Sequence, residues 1–582
     1  MIKLLFEKEI PCRGLWECSF VKELKMNNLF TDAATEARII SPSGAVKYIK
    51  GFYAGSNLWK IRFCPQEIGV YSCEVIISTS QMKEQSVIEF ESKPSKNKGM
   101  LKVNPDYPHF FIYEDGTPIY LIGSGMEFQI PQLGTEPASI SYYPDDRDPL
   151  EDWKHYLDMI CESGFNRVRV FWGSVKYPDE RKFTGQPCVF FEYRNMYERD
   201  SETGRYDLAR FNTKAWDLLD SILQYGQTKG VIFEIVVFDR CSFENWKGRD
   251  RWEYNVYNEL NGGPVPEMMD IKEEVTGKNV DLRHLQPDRK YNGKRGFFDI
   301  VEPYGNQEDW VFQMWNYYYQ KLYVDYLIGR TAAYSNAYYE IINEMERPVG
   351  KWIGHWFKYF KDNEPYGRML TCSTVCIEAE NSDRLFEHFK IAACDIMSPH
   401  YEMSLPVLYE LNKKYYSWNK PIVYDEVFWV KNLTAHGIPE GDKYYQERIW
   451  FWGNFVNGSQ TCRVCWQPFF ETPTFRWVKN FSSFIKGYEW WKMEPLFDQV
   501  TGTKGIDAYG CRIDSAFIVY VIKSQPVCEC IVNILGESGK YKVGFFDPEE
   551  GVYMNTQVLL EGNLEVSLPI FERDLVVTLT KL

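Results

Sequence analysis

Short apolar runs alternate with longer amphipathic segments between about residues 100 and 490. Eight runs have the composition of buried strands: Ile119–Ile122, Phe165–Val170, Val231–Phe238, Tyr338–Ile342, Met369–Cys372, Asp395–Met397, Ile422–Tyr424 and Cys462–Trp466. Segments between them show helical periodicity, as in Trp153–Ser163, Thr213–Lys229, Asp309–Gly329 and Asp442–Asn457. Eight strand–helix units predict an α/β fold, a (β/α)8 TIM barrel over residues 100–495.

The two ends of the chain have a different pattern. Residues 1–95 contain short runs of β-branched and aromatic residues separated by turn signals, which is typical of an immunoglobulin-like β-sandwich. A polar stretch, Ser92–Gly99, follows as a linker. Residues 500–582 return to strand-like runs and predict a small C-terminal β-sandwich. We therefore expect three domains.

The longest excursion from the barrel pattern runs from Arg240 to Asn306, after the third predicted strand. Loops of this length in a compact domain are often lids or binding loops. A long surface loop with no role in binding explains the same stretch equally well.

Composition narrows the classes of partner. The 582 residues carry a net charge of -15, which disfavours nucleic acid and anionic membranes because both would repel the chain. No apolar stretch has the length of a membrane span. Aromatic residues make up 17% of the chain, and a surplus of Trp and Tyr suits the apolar faces of sugar rings.

The cysteines and histidines give little support for a disulfide framework or a metal centre. Fifteen Cys are scattered without regular spacing, and the N-terminus lacks a signal-peptide pattern, so we expect free thiols and a cytoplasmic protein. The seven His include no HxxxH pair, and we expect neither a metal site nor a cofactor. The CxxC at Cys462–Cys465 lies on a predicted strand, where its two thiols would face opposite sides.

Two glutamates at the ends of apolar strands carry the candidate chemistry. Glu344 follows Asn343 at the end of the fourth strand, and Glu426 ends the seventh. These strands face each other across a barrel mouth, and two opposed carboxyls are what hydrolysis of a glycosidic bond requires. The alternatives are that Asn343–Glu344 caps the next helix and that Asp425–Glu426 begins a solvated loop.

Other side chains at strand ends could assist. Arg169 could keep a nucleophilic carboxylate ionised, while Arg167 lies one step deeper and is expected to pair with Glu340. His400 or Tyr401 could donate a hydrogen bond to the nucleophile or to sugar, although a structural His is an equal alternative. Asn343 could bind a sugar hydroxyl. Further candidates for substrate contacts are Trp466, Trp429, Trp172, Asp239 and Glu127.

These motifs resemble the retaining glycoside hydrolases of clan A, with a family 5-like barrel. The resemblance rests on Asn343–Glu344 after YYEII, Glu426 after PIVYD, GFNRVRV around Arg169, and Trp466. It implies that Glu344 is the acid/base, Glu426 the nucleophile and Arg169 its neighbour. It further implies that His400 or Tyr401 is the strand-six hydrogen-bonding residue. After YLIG the chain has Ser124–Glu127 where many relatives carry Asp-Thr-Ala-Trp, so sugar contacts there are expected to differ.

The flanking domains also resemble a known arrangement. NLFTD (Asn28–Asp32), the Pro42–Gly44 turn, GFY (Gly51–Tyr53) and WKIRFCP (Trp59–Pro65) are similar to DUF5060, a β-sandwich that precedes such barrels in bacterial polysaccharide-use proteins. YKVGFFDPEEG (Tyr541–Gly551) is similar to their C-terminal β-domain.

The resemblance implies hydrolysis of O-glycosidic bonds in plant- or microbe-derived oligosaccharides by double displacement. The alternative from another class is a non-catalytic carbohydrate-binding barrel. A lyase or a metal-dependent hydrolase would need a phosphate loop or metal ligands, and the sequence shows neither pattern. Sugar, linkage and anomer stay open, as does assembly into a homo-oligomer.

Overall fold

The fold is given by a computed structural model. It describes residues 2–127, 148–172, 196–239, 245–246, 249–250, 255–265, 297–298, 300, 307–344, 350–375, 386–402, 404–428, 443–463, 473–525 and 530–582.

The N-terminal region contains nine strands: β1 Leu5–Phe6, β2 Glu9–Pro11, β3 Trp16–Val21, β4 Ala33–Ile40, β5 Val46–Lys50, β6 Phe52–Tyr53, β7 Leu58–Phe63, β8 Gly69–Thr79 and β9 Lys83–Lys93. They form a four-stranded sheet in the order β1-β3-β7-β6 and a five-stranded sheet in the order β2-β9-β8-β4-β5. Alternate residues of β3 and β4 are buried, so each sheet turns one apolar face inward. A shared core that includes Trp16, Trp59 and Phe90 lies between them.

The central region contains seventeen described strands: β10 Leu101–Val103, β11 Phe111–Tyr113, β12 Pro118–Ile119, β13 Ile122–Glu127, β14 Arg167–Phe171, β15 Tyr197–Arg199, β16 Tyr206–Phe211, β17 Ile232–Asp239, β18 Asn245–Trp246, β19 Arg249–Asp250, β20 Ala337–Asn343, β21 Leu370–Thr371, β22 Ser373–Val375, β23 Ser398–Glu402, β24 Val423–Tyr424, β25 Val427–Phe428 and β26 Gln460–Cys462. Every residue of β14, β17 and β20 is buried, which matches a parallel sheet covered on both faces.

Parallel pairing joins most of these strands into two sets. The order β21-β20-β17-β14-β13-β26-β24 forms a seven-stranded sheet, in which β13 pairs with both β14 and β26. A second set, β22-β23-β25, continues from the β21 side, and a parallel bridge joins Met397 to Ile422 just before β23 and β24. The described strands thus form a strongly curled parallel sheet whose carboxyl ends lie on one side.

Seven described helices accompany the sheet: α1 Pro149–Glu162, α2 Thr213–Lys229, α3 Gln307–Thr331, α4 Gly350–Asn363, α5 Leu405–Tyr415, α6 Lys443–Val456 and α7 Thr474–Ile485. The four helices predicted by periodicity correspond to α1, α2, α3 and α6. Asp148 caps α1 by accepting a hydrogen bond from the Leu150 amide, with Pro149 at the first helical position. Gly230 ends α2 in the left-handed conformation, at φ 75°.

Two predicted strands are displaced. Ile119 belongs to a small antiparallel sheet, β10-β11-β12, and the first parallel strand begins only at Ile122. The sixth strand begins at Ser398, where the predicted Asp395–Met397 run ends. The polar residues Ser398 and His400 point to buried partners, so this strand lacks the apolar run on which the prediction relied. Cys462 ends β26, and residues 464–472 of the predicted eighth strand and its loop lie outside the described residues.

The C-terminal region contains β27 Glu494–Pro495, β28 Val500–Gly502, β29 Ile506–Ile513, β30 Ala516–Lys523, β31 Ile531–Asp547, β32 Val552–Ser567 and β33 Asp574–Lys581. Six of them form an antiparallel sheet in the order β27-β29-β30-β33-β31-β28, and β32 pairs with β31 as a long hairpin. These strands agree with the strand-like runs expected over residues 500–582. Arg448 of α6 donates to Asp574 at 2.7 and 3.0 Å, which ties this sheet to the central region.

A buried ion cluster ties the N-terminal region to the helices, and we call it the interface cluster. It consists of Arg62, Asp220 and Arg330, with the more exposed Glu17 and Asp217 at its edge. Arg62 is 3% exposed and donates through Nη2 to Asp220 Oδ2 at 2.8 Å and through Nη1 to the Arg330 carbonyl at 2.9 Å. Charges this deeply buried need such pairing, so the cluster specifies how the two regions meet.

Among the described residues, no helix is long and apolar enough to span a membrane. The ten cysteines in the described part of the chain have free thiols. The expectations of a cytoplasmic location and of assembly into a homo-oligomer stay predictions.

Candidate active site

Arg169 of β14 is the centre of the polar network at the carboxyl ends of the strands. It is fully buried, and its Nε and Nη2 donate to the two oxygens of Glu340 at 2.7 and 2.8 Å. Nη2 also donates to Asn343 Oδ1 at 2.7 Å, and Nη1 donates to Glu426 Oε2 at 2.7 Å. One rigid guanidinium thus fixes side chains from the fourth and seventh strands relative to each other.

Glu344 lies where β20 ends. The strand stops at Asn343, and Glu344 takes φ 51°, in the left-handed region that residues other than Gly seldom occupy. Its amide donates to Ser373 Oγ at 2.7 Å, which stabilises the bend. The left-handed bend, and not the alternation of a regular strand, therefore positions the Glu344 side chain. Such backbone strain is common at functional sites.

Asn343 is held from two sides. Its Oδ1 accepts from Arg169, and its Nδ2 donates to Asp239 Oδ1 at 2.9 Å. Asn343 and Asp239 are paired residues of neighbouring parallel strands. Both side chains predicted as substrate contacts therefore lie at the carboxyl end of the sheet, Asn343 next to Arg169 and Asp239 next to Asn343. Contact with a substrate stays a prediction for each.

The two candidate glutamates approach each other closely. One carboxylate oxygen of Glu344, one ring nitrogen of His400 and one carboxylate oxygen of Glu426 lie within 4.8 Å of one another. Each glutamate is 5% exposed, so both carboxylates are nearly withdrawn from solvent. Residues 82 positions apart in the chain, 426 minus 344, are thus brought face to face.

His400 of β23 lies between the carboxylates. Its Nδ1 is 3.1 Å from Glu344 Oε1 and 3.5 Å from Glu426 Oε2, and its Nε2 is 2.7 Å from Asp425 Oδ1. Burial alone would lower the pKa of His400, but Asp425 and Glu426 outweigh burial and raise it to about 10. The charges around the ring therefore favour the protonated imidazole.

A second polar layer lies deeper in the sheet. Arg167 donates to Glu234 and, at 3.3 Å, to the Tyr338 hydroxyl, which donates to Glu234 at 2.9 Å. We expected Arg167 to pair with Glu340, and this is wrong, because Arg169 binds Glu340. The stagger between neighbouring strands decides which residues share a layer, and sequence spacing does not contain it. Gly123 makes room for Arg167, because a Cβ there would lie 2.7 Å from Arg167 Nη2.

The buried carboxyls differ in acidity. Desolvation raises the pKa of Glu340 to about 7, against the opposing effect of Arg169. Desolvation also raises the pKa of Glu234 well above its ordinary value, and the charge of Asp425 adds to the rise. The pKa of Asp425 is strongly lowered, because His400 and Arg169 together outweigh its burial. Neighbouring carboxyls with pKa values pushed apart are typical of acid–base sites.

In the part of the chain that the structure describes, two sets of three residues could hold a metal ion: Glu344, His400 and Glu426, and Glu234, Glu340 and Asp425. In the first set, Arg169 already binds Glu426, and the second ring nitrogen of His400 lies 2.7 Å from Asp425. In the second, the carboxylates already bind Arg167, Arg169 or His400. These side chains therefore fit a network of protein cations better than a metal centre, and the absence of a metal and of a cofactor stays a prediction.

The remaining predicted site residues lie partly beyond the described structure. Trp172, directly after β14, is 1% exposed and packs in the central core. The backbones of Glu127 and Tyr401 pair with Val170 and Val427 at strand ends, but their side chains are outside the described residues. Trp429 and Trp466 lie entirely outside them, as does most of Arg240–Asn306. Their substrate contacts stay predictions.

Sequence reasoning missed several residues of this network. Asp425 is fully buried and touches His400, so it does not begin a solvated loop. Ser373 supports Glu344, and Ser398 donates to Asp425. Glu234 is the single acid in the apolar run VIFEIVVF, a signal that could have identified it. The serines offered no comparable signal.

The N-terminal region matches a described family. Residues 14–78 match DUF5060, Domain of unknown function. This confirms the resemblance predicted for the first domain over most of its length. No curated protein matches this chain.

A solved structure of low sequence identity shares the fold of this chain. A protein from Bacteroides vulgatus ATCC 8482, provisionally described as a glycoside hydrolase, matches with a TM-score of 0.66 and 16% identity over 99% of this chain and 100% of the other. At this identity the match establishes a common fold. A glycoside hydrolase family 5 protein from the same organism matches with a TM-score of 0.49 and 12% identity, over 83% of this chain and 94% of the other.

Proposed function

We propose that the protein is a retaining glycoside hydrolase of the clan A type, acting on oligosaccharides. The observation that carries the proposal is the approach of Glu344 and Glu426 to within 4.8 Å, with Arg169 donating to Glu426 at 2.7 Å. Retaining enzymes hold their carboxyl groups roughly 5–5.5 Å apart and inverting enzymes roughly 6.5–9.5 Å, so oxygens no more than 4.8 Å apart favour the retaining arrangement.

The two glutamates take different roles in the proposed reaction. A nucleophile must be ionised, and Arg169 on Glu426 favours the carboxylate. Glu426 then attacks the anomeric carbon as Glu344 protonates the leaving oxygen. In the second step, Glu344 takes a proton from water, whose oxygen displaces Glu426 from the sugar. In this proposal Asn343, which is held by Arg169 and Asp239, binds a hydroxyl beside the reacting carbon.

The proposal extends to the architecture. The observed series of parallel strands supports a closed (β/α)8 barrel over residues 100–495 as the catalytic domain. The two flanking regions, 1–95 and 500–582, are then an immunoglobulin-like β-sandwich and a small β-sandwich that brace the barrel. The buried interface cluster and the Arg448–Asp574 pair support bracing. The proposed setting is the cytoplasm, with imported oligosaccharides as substrates.

The decisive experiment removes the nucleophile. On an aryl-glycoside panel, Glu426→Ala is expected to reduce turnover by about 10⁴-fold or more. Azide is expected to restore cleavage and to give a glycosyl azide of inverted configuration, because the small anion fits the space of the lost carboxylate. NMR of the wild-type product should show retained configuration.

Asp574→Asn is a suitable control, because it alters a buried ion pair remote from the glutamates. Wild-type turnover by the Glu426→Ala variant would contradict the role given to Glu426. Glycan binding by the wild type without hydrolysis of any substrate on the panel would favour the carbohydrate-binding alternative.

A further inference from the structure

The residue before the proposed nucleophile has no part in the mechanism above, yet it is fully buried in the same network. Asp425 is 0% exposed. Its Oδ1 lies 2.7 Å from His400 Nε2, and its Oδ2 accepts a hydrogen bond from Ser398. A carboxylate this deeply buried is stabilised only by close cationic or hydrogen-bonding partners. His400 is the closest cationic partner, since the nearest Arg169 nitrogen is 3.9 Å away.

The other side of the imidazole faces both glutamates. His400 Nδ1 is 3.1 Å from Glu344 and 3.5 Å from Glu426, so a small rotation of one ring moves its N–H from one to the other. Two further charged groups act on this ring, Arg169 and Glu340. Arg169 is already bound to carboxylates, which limits its repulsion of the imidazolium.

We propose that Asp425 is a positioning residue that keeps His400 charged, so that one N–H serves Glu344 and Glu426 in turn as their negative charge moves between them. This inference rests on the proposed hydrolase function.

The charge balance of double displacement creates the need for such a donor. At the start, Glu426 is a carboxylate and Glu344 carries a proton. When the bond from the anomeric carbon to the leaving oxygen breaks, that oxygen receives the proton of Glu344, and Glu426 forms the new bond to carbon. The single negative charge is then on Glu344. When water adds, Glu344 regains a proton and Glu426 leaves as a carboxylate, so the charge returns.

A fixed cation between the two carboxylates stabilises the charge at both positions. His400 keeps its own proton throughout, so it neither gains nor loses one in the cycle. Without Asp425, burial would favour the neutral ring. The site would then lose its donor near neutral pH, although both glutamates would be intact.

The first test observes His400 directly and needs no substrate. Wild-type protein labelled with ¹⁵N-histidine contains seven His, and His400→Gln assigns the ring of interest. We expect the wild-type ring to stay protonated through pH 8 and the ring in Asp425→Asn to lose its proton between about pH 5 and 7. A wild-type ring that titrates near the ordinary value of about 6.5 would overturn the proposal, even if the variant does not fold.

The second test uses the pH dependence of kcat/KM on an aryl glycoside. Asp425→Asn is expected to lose about 100-fold at pH 7 and to recover part of the loss at pH 5.5, where the ring is protonated again. Asp574→Asn, the same substitution in a buried ion pair with Arg448, should leave the shape of the profile unchanged. An equal loss at every pH in Asp425→Asn would assign Asp425 a purely structural role and overturn the proposal.

The two tests separate this inference from the function on which it rests. If the wild type hydrolyses no glycoside but the protonation of His400 depends on Asp425, the proposed hydrolase function is wrong. The charged pair of His400 and Asp425 is then still supported. If hydrolysis proceeds and His400 titrates ordinarily, the function stands and the role of Asp425 fails.

Discussion

Two buried ion clusters in this protein use arginine in different ways. In the interface cluster, Arg62 and Arg330 share Asp220, and the pKa of Asp220 is lowered because both cations outweigh its burial. In the active-site cluster, Arg169 contacts carboxylates of two strands, and neighbouring acids move in opposite directions: the pKa of Asp425 falls and that of Glu340 rises. The first cluster is a simple pairing of opposite charges.

This difference separates the electrostatics of the interface cluster from those of the candidate active site. In the interface cluster, the buried carboxyl has two cationic partners, so it stays ionised at neutral pH. In the active site, five buried carboxyls, Glu234, Glu340, Glu344, Asp425 and Glu426, surround Arg167, Arg169 and His400. Not all of these acids can be ionised together without a large cost. An excess of acids over cations leaves protons that can move, which acid–base chemistry requires.

Matched arginine substitutions give the sharpest test of this comparison. Arg169→Met is expected to lower kcat/KM by about 10²–10³-fold, because Glu426 loses the donor that orients and ionises it. Activity on an aryl glycoside, measured well below the unfolding temperature, checks the prediction. An unchanged kcat/KM would mean that Arg169, like Arg62 and Arg330, has only a structural role.

Arg62→Met is the counterpart in the interface cluster. Removing one partner of a buried ion pair is expected to lower the free energy of unfolding by about 3–5 kcal/mol, because Asp220 loses a charged partner. Urea unfolding measures the change, and kcat/KM of the folded variant should equal that of the wild type. A loss of activity comparable to that of Arg169→Met would remove the distinction between the clusters.

The pH dependence of stability should also differ between the clusters. Asp220 has a lowered pKa, so its stabilisation is complete above the unfolded value of about 3.9 and is lost as pH falls through the folded value. Glu340 has a pKa raised from 4.5 to about 7, so the folded protein holds a proton that the unfolded chain has released. Its contribution therefore reduces stability as pH rises between those values.

The Glu340 effect can be isolated by substitution. At about 1.4 kcal/mol for each pH unit between the two pKa values, it reaches about 3 kcal/mol. Glu340→Gln has no proton to exchange, so the free-energy difference between wild type and variant should shift in favour of the variant from pH 4.5 to 7. Urea unfolding at several pH values checks this. A constant difference would mean that Glu340 titrates ordinarily.

An exposed ion pair supplies the baseline. Lys358 and Asp362 of α4 are 2.6 Å apart, with 75% and 55% of their side-chain surfaces exposed. Lys358→Ala is expected to change the free energy of unfolding by only about 0.3–0.5 kcal/mol, because solvent screens the pair. Thermal unfolding at low and high salt measures it. An effect as large as that of Arg62→Met would contradict the importance assigned to burial.

The chain itself determined the alternation of strands and helices and the glutamates at two strand ends. Apolar periodicity reports which segments are buried, and it indicated β14, β17 and β20 together with helices α1, α2, α3 and α6. It failed at β23, because Ser398 and His400 interrupt the apolar run with polar side chains whose partners come from other strands.

Only the tertiary structure decided which charges meet. Arg167 and Arg169 lie two residues apart, and strand stagger alone assigns Glu234 to the first and Glu340 to the second. The left-handed bend at Glu344 and the burial of Asp425 likewise depend on neighbours distant in the chain. Local sequence encodes propensity and burial, whereas pKa values and ion-pair partners depend on distances between strands, which exist only after folding.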